Sequence, residues 1–340
     1  MRSLLKIALL LTFVSAFFSC KSDDGVNSTP IRDFQEVYDE DIVEIEEYLK
    51  TNYLELDANL NATVTKIPED GTQTSIWDQT AYPLQSITVK NDVKASLASD
   101  YVSKDQVDYK LYYILLNEGG GTNPITIDST LVSYKGWNLV NEVFDQNNVG
   151  LWFSYPDASE AISGFRQILT KMKTAASSVV NSDGSVSYVN AGNLIVFIPS
   201  GLAYFNSGST YIASYSPIAF QIRLLARKER DHERDRVLGK YEDTNGDGDF
   251  FNDDLDGDRV PNFLDVDDDG DGTLTKYEVR FPVVTGTPPN EITTYYYYPF
   301  NGAATDDPLT PYDDRKGIPS CSNDYLSPTR LRRHLDSSCR

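Results

Sequence analysis

Between Tyr241 and Glu278 the chain carries 14 acidic residues against 2 basic ones, a balance of −12. The whole chain of 340 residues has a net charge of −21, so more than half of the excess sits in this one stretch. Its apolar residues, among them Val237, Phe250, Phe263 and Leu264 around and within it, are few and often flanked by acids. Such a segment cannot collapse unaided. Its carboxylates repel one another as they are brought together, and little apolar surface offsets the entropy of ordering. It is either a disordered acidic linker or a segment that folds around cations.

The pattern favours the cations. Asp235-Arg-Val-Leu-Gly-Lys-Tyr-Glu242 matches Asp258-Arg-Val-Pro-Asn-Phe-Leu-Asp265, displaced by 23 positions, an internal repeat. Each repeat holds two loops with oxygen ligands at positions 1, 3, 5 and 12, the spacing of EF-hand calcium loops. The clearest is Asp267, Asp269, Asp271 and Glu278, with Gly272 at the turn. A second is Asp243, Asn245, Asp247 and Asp254, with Gly248 at the turn and Asp249 as a further candidate. In the third, Asp254, Asp256, Asp258 and Asp265, the turn glycine is replaced by Arg259. In the fourth, Asp231, Glu233, Asp235 and Glu242, it is replaced by Arg236. Asp254 is expected to serve two loops. No long helices flank these loops, so paired-helix EF-hands are not expected. The series resembles thrombospondin type 3 calcium repeats, which implies structural Ca²⁺ as the core of an irregular extension over residues 228–280.

A different region carries the apolar patterning. Val107 to Leu116 alternates as a strand, and Glu118-Gly-Gly-Gly-Thr122 is the turn after it. Thr130 to Gly136 is a second strand, and Asn193–Ile198 and Ile218–Leu225 are apolar strands. Ile162, Phe165, Ile168, Leu169 and Met172 recur at helical spacing, which predicts a helix over 161–175. These pieces imply an α+β domain, a twisted antiparallel sheet covering one helix.

The segments Leu131-Val-Ser-Tyr-Lys-Gly136, Val143-Phe-Asp145, Ala161 to Lys173, Leu194 to Tyr204 and Ser216 to Leu225, in this order, resemble FKBP-type peptidyl-prolyl cis-trans isomerases. The resemblance implies an isomerase domain over 101–227. Its pocket would be made by Tyr134, Phe144, Asp145, Trp152, Ile162, Phe165, Tyr204, Ile212 and Phe220, with Phe165 as the floor. The position of Ile162 offers a backbone N–H to a substrate carbonyl, that of Tyr204 a hydroxyl, and that of Asp145 organises the rim. The chemistry suits such a set. Rotation about an X–Pro bond faces a barrier of roughly 18–20 kcal/mol and needs no nucleophile, general base or catalytic cofactor. It needs an apolar seat for the ring and surroundings that favour the twisted imide. The chain departs from the family at Phe205, where Gly is usual, and carries a longer insertion from Val180 to Val189.

The ends set the compartment. Arg2 and Lys6 followed by Ile7 to Phe18 read as a secretory leader over 1–19, too short to span a bilayer comfortably. Ser19-Cys20 resembles a bacterial lipoprotein cleavage site, and Lys21-Ser-Asp-Asp24 the surface-export tether of lipoproteins of the Bacteroidetes type. The expectation is a lipid on Cys20, a tether over 20–32 and attachment to the outer membrane through that anchor. Residues 33–100 are expected to form an N-terminal subdomain opening on a helix from Asp33 to Lys50. Residues 281–340 form a tail in which Cys321 and Cys339 are candidates for a disulfide, and His232 and His334 read as surface residues. The expected partners are proline-containing polypeptides and the membrane. Net charge argues against nucleic acid. The competing functions are a non-catalytic chaperone of the same fold and a calcium-stiffened adhesion element.

Overall fold

The computed structural model describes residues 30–94, 96–155 and 161–339. The leader, Cys20 and the tether up to residue 29 lie outside the described residues. The helices and strands of the described residues belong to the compact unit Asp33–Arg340.

Helix α1 (Phe34–Thr51) begins where Asp33 caps it, its Oδ1 accepting from the N–H groups of Gln35 at 2.9 Å and Glu36 at 3.1 Å. Val37, Ile45, Tyr48 and Leu49 are buried at helical spacing. At Asn52 the chain turns extended and enters the hairpin β1 (Asn52–Leu56) and β2 (Ala62–Lys66).

The centre is a six-stranded, wholly antiparallel sheet. It is built from β3 (Leu84–Val89), β4 (Tyr109–Asn117), β5 (Ser129–Asn138), β6 (Val143–Phe153), β9 (Gly192–Ile198) and β10 (Ile218–Lys228). The spatial order is β3-β4-β9-β10-β5-β6. Side chains alternate between its faces. Leu194, Val196 and Ile198 join Ile218, Phe220, Ile222 and Leu224 in one core. Ile195 and Phe197 join Tyr112, Ile114 and Trp137 in the other. The first face is covered by α2 (Ser163–Ile168) and the second by α1.

Two expectations about the main domain are corrected. Residues 33–100 do not stand apart, because α1 and the β1–β2 hairpin close the second face and β3 is the sheet's edge strand. The helix expected over 161–175 is one short helix and a 3-10 turn, Leu169–Lys171. Beyond it the backbone is recruited by the Glu118–Thr122 loop after β4. Lys173 N–H donates to Glu118 O at 2.7 Å and Thr174 N–H to Thr122 O at 3.0 Å. The insertion after Ala176 is a separate hairpin, β7 (Ser177–Val180) with β8 (Val186–Val189).

The acidic extension after Lys228 holds 3-10 turns and one helical turn, α3 (Thr275–Glu278). Its apolar residues form two small clusters. Phe250 and Phe263 pack with Ile127 of the main domain. Val237 and Val279 pack with Ile318 of the tail. The tail adds the hairpin β11 (Arg280–Thr285) and β12 (Ile292–Tyr297), and Cys321 and Cys339 are joined with Cα atoms 5.3 Å apart. His334 is not a surface residue. It is 1 % exposed, and burial pushes its pKa down to about 3, helped by Arg332. His232 is half-buried, with Nε2 2.8 Å from Tyr155 O. No helix among the described residues is long and apolar enough to cross a membrane.

Candidate functional site

The first candidate is aromatic. Tyr134 on β5, Phe144 and Phe153 on β6, Phe165 on α2 and Phe220 on β10 meet on one face of the sheet. Phe220 contacts Phe165 at 5.2 Å and Phe144 at 5.4 Å between ring centroids, both edge to face, the geometry aromatic quadrupoles favour. Tyr134 stands edge-on to Phe165 at 5.7 Å and Phe220 at 6.0 Å. Gly136 lets them converge, since a Cβ there would lie 2.5 Å from the Phe220 ring and 2.7 Å from that of Phe144.

The polar rim is narrow. Tyr134 donates its hydroxyl to Asp145 Oδ2 at 2.9 Å. Burial and then Asp145 push the Tyr134 phenol up to about 12. Tyr204, in the loop after β9 and 39 % exposed, is also raised, by burial first and by Asp145 second. Both phenols thus stay protonated as donors at neutral pH. Ile162 is the extended N-cap residue of α2 (ψ 151°), and Ile212 is buried in the same core. An apolar, ring-lined face with hydroxyls at its edge can seat a proline and bond a carbonyl. It offers no nucleophile and needs none.

Trp152 does not join the constellation. It is 48 % exposed and pairs with Leu131, whereas Phe153 pairs with Thr130. Alternation along β6 therefore gives Phe153 the face of Tyr134, and its ring lies 5.8 Å from that of Phe165. Finding Phe153 requires the register of β6, which the amino-acid order alone does not supply.

Phe205 explains the departure beside Tyr204. Its φ is +44°, the left-handed region that favours glycine. Its ring stacks on Phe34 of α1 at 4.5 Å and meets Tyr215 edge-on at 5.1 Å. The side chain glycine would lack ties the N-terminal helix to the loop that carries Tyr204.

The second candidate is the carboxylate array. The four loops share one geometry. The sixth residue of each has a positive φ: +87° at Arg236, +84° at Gly248, +83° at Arg259 and +90° at Gly272. Its N–H donates to the carboxylate at position 1. The distances are 3.3 Å from Arg236 to Asp231, 3.0 Å from Gly248 to Asp243, 3.1 Å from Arg259 to Asp254 and 3.1 Å from Gly272 to Asp267. The two arginines therefore adopt the glycine conformation.

Four groups of three carboxylates converge among the described residues, each with oxygens within 4.8 Å of one another. They are Asp231–Glu233–Asp235, Asp254–Asp256–Asp258, Asp267–Asp269–Asp271 and Asp235–Glu242–Asp268. Glu278 is buried beside the third, its pKa raised to about 8 by burial and by Asp269 and Asp271. Asp265 is raised as well, by burial first. Asp243, Asn245, Asp247 and Asp249 do not converge with a third carboxylate, and their side chains accept backbone N–H groups within the loop. Asp254 lies in one group, not two. Asp253 is the residue that folds back, its Oδ1 accepting from Thr244 N–H at 3.0 Å and Asn245 N–H at 3.2 Å. Asp268 is new, since it falls between ligand positions 1 and 3 and the loop spacing assigns it nothing. Carboxyl oxygens of Glu233, Glu242, Asp268 and Glu278 are buried without a hydrogen-bond partner. An all-oxygen, anionic set of this kind fits a hard divalent cation such as Ca²⁺.

Comparison with known proteins adds three findings. The family model described as BamM C-terminal matches residues 232–312. No curated protein matches the chain. Among solved structures, the chain is similar to a peptidyl-prolyl cis-trans isomerase from Pseudomonas syringae pv. tomato, at 25% identity and a TM-score of 0.28 over 35% of this chain and 76% of that one. It is similar to FkpA from Escherichia coli at 26% identity and a TM-score of 0.28, over 35% of this chain and 48% of that one. It is also similar to the N-terminal domain of FKBP42 from Arabidopsis thaliana at 15% identity and a TM-score of 0.29, over 38% of this chain and 96% of that one.

Proposed function

We propose that the chain is an FKBP-type peptidyl-prolyl cis-trans isomerase that assists folding of exported proteins at the cell envelope. The observation that carries this reading is the convergence of Tyr134, Phe144, Phe153, Phe165 and Phe220, with Tyr204 and Asp145 at the edge. A proline ring would rest on Phe165 and Phe220. The twisted imide has a carbonyl less delocalised than in the ground state, and the Tyr204 hydroxyl donates to it. Asp145 fixes the Tyr134 hydroxyl and shapes the rim. Ile162 serves through its backbone N–H.

In this reading Cys20 carries the lipid that holds the protein at the outer membrane. Ca²⁺ neutralises the carboxylate groups and keeps the extension folded. It takes no part in the isomerisation. Cys20→Ser should release the protein from membranes, and retention after a salt wash would count against the anchor.

A protease-coupled assay on a short X–Pro peptide tests the activity. Tyr204→Phe should melt with the wild type and lose about fivefold in kcat/KM, the worth of one hydrogen bond of about 1 kcal/mol. Equal turnover by the two folded proteins would remove Tyr204 from the site. A second reading, a chaperone of the same fold without turnover, is favoured by Phe205, which fastens the Tyr204 loop to α1. A wild type that binds unfolded chains but leaves the X–Pro rate unchanged would establish it.

A further inference from the structure

We infer that Asp235, Glu242 and Asp268 form a buried divalent-cation site assembled across the extension, in which Asp268, a residue outside the loop spacing, joins two ligand positions of the Asp231 loop. The inference rests on the reading that the extension takes up Ca²⁺, and adds where one ion sits and what it joins.

The three side chains are 1 %, 4 % and 1 % exposed. Each contributes an oxygen to a set within 4.8 Å. One Ca²⁺ with bonds of about 2.3–2.6 Å spans up to about 5 Å between ligand atoms, so a single ion reaches all three. Asp235 Oδ2, both oxygens of Glu242 and both of Asp268 are buried without a hydrogen-bond partner. The charges that act on Glu242 are those of Asp268, Asp235, Asp231 and Asp265, all of one sign. Protonation would relieve the repulsion but leave most of these oxygens unpartnered. A cation answers both needs at once. With oxygen donors alone, the set suits Ca²⁺ and lacks the nitrogen or sulfur that Zn²⁺ sites use.

The backbone accounts for the placement. Asp267 and Asp269 share the group completed by Asp271, while Asp268 between them joins the other group. Asp268 N–H donates to Thr275 Oγ1 at 3.2 Å, which fixes its backbone against α3. Asp235 belongs both to this site and to the Asp231–Glu233 group, so two ions would share its carboxylate. The bound cation would clasp the start of the extension, just after β10, to its last loop. That closure joins positions far apart in the chain, which restricts the unfolded ensemble more than any single loop does.

The test is Asp268→Asn in the full chain, with calorimetric titration of Ca²⁺ and thermal melting in chelator and in Ca²⁺. The variant should bind one ion fewer than the wild type. In chelator it should melt at or above the wild type, because one of three like charges is gone. In Ca²⁺ it should melt below it. This inversion of order is the signature, and Glu242→Gln should reproduce it. Unchanged stoichiometry, or a variant that melts above the wild type in both conditions, would overturn the site. So would loss of fold by both variants in chelator, where the charge they remove is a burden. Absence of any Ca²⁺ heat from the wild type would instead defeat the broader calcium reading.

Discussion

From Phe34 to Lys228 the interior consists mainly of Leu, Ile, Val and aromatic side chains on both faces of a hydrogen-bonded sheet. From Asp231 to Glu278 it consists of carboxylates around two small apolar clusters, with almost no regular structure. The first region draws its stability from apolar area removed from water, about 25 cal/mol per Å², and needs nothing from outside. In the second, burial works against folding, because Glu242 and Asp268 are shielded from water beside other acids. One chain thus joins an apolar core to a segment for which we propose a stability that depends on the cations around it.

Chelation should have the largest effect. Each site filled at a thousand times its dissociation constant contributes about 4 kcal/mol, and several would be emptied together. Limited proteolysis with mass spectrometry should then find cuts after Lys228 while Tyr109–Lys228 stays whole. Cleavage spread equally over both regions would abolish the distinction.

Phe165→Ala comes next. It removes a ring that touches Tyr134, Phe153 and Phe220 and should cost ~3–5 kcal/mol. Denaturant melts should give the same loss with and without chelator if the two regions are energetically separate. A loss that changes with Ca²⁺ would show that they are coupled.

Asp41 tests the contrast from inside the apolar region. It is buried on α1 and accepts Ser200 N–H at 2.7 Å. Burial raises its pKa from 3.8 to about 6. The folded chain therefore holds this proton more tightly than the unfolded one. The associated stability is complete below pH 3.8 and is lost as pH rises through about 6. Asp41→Asn should remove that loss and gain about 1–3 kcal/mol at pH 8. Parallel pH–stability curves for the variant and the wild type would exclude the effect.

Phe205→Gly should be the smallest. Relief of the left-handed backbone is worth about 1–2 kcal/mol. The lost stack on Phe34, the lost edge contact with Tyr215 and the added glycine freedom outweigh it slightly. A net loss of about 1 kcal/mol by thermal melting is expected, and a gain in stability would mean that the Phe34 contact contributes little.

Legibility differed between the regions for a physical reason. Strand alternation and helix spacing are local, so α1, β4, β5, β9 and β10 were visible from residue order. The EF-hand spacing is also local, and it located the loops down to the turn residues Arg236 and Arg259. Partners set by register were not visible. Phe153 in place of Trp152 depends on how β6 aligns with β5. The short α2 depends on the Glu118–Thr122 loop, which captures Lys173 and Thr174. β3 and the β1–β2 hairpin have few apolar residues each and become strands through the neighbours they pair with or cover.

Charge density and apolar periodicity belong to the chain before it folds. Residue order alone therefore separates a stretch dense in carboxylates from one with a periodic apolar core. Which side chains meet is a matter of the folded molecule. Folding brought Asp268 to Asp235 and Glu242, set Phe153 against Phe165, and set Phe205 against Phe34. Each of these contacts joins positions whose distance apart is fixed by strand register or loop closure, and residue order does not encode either one locally.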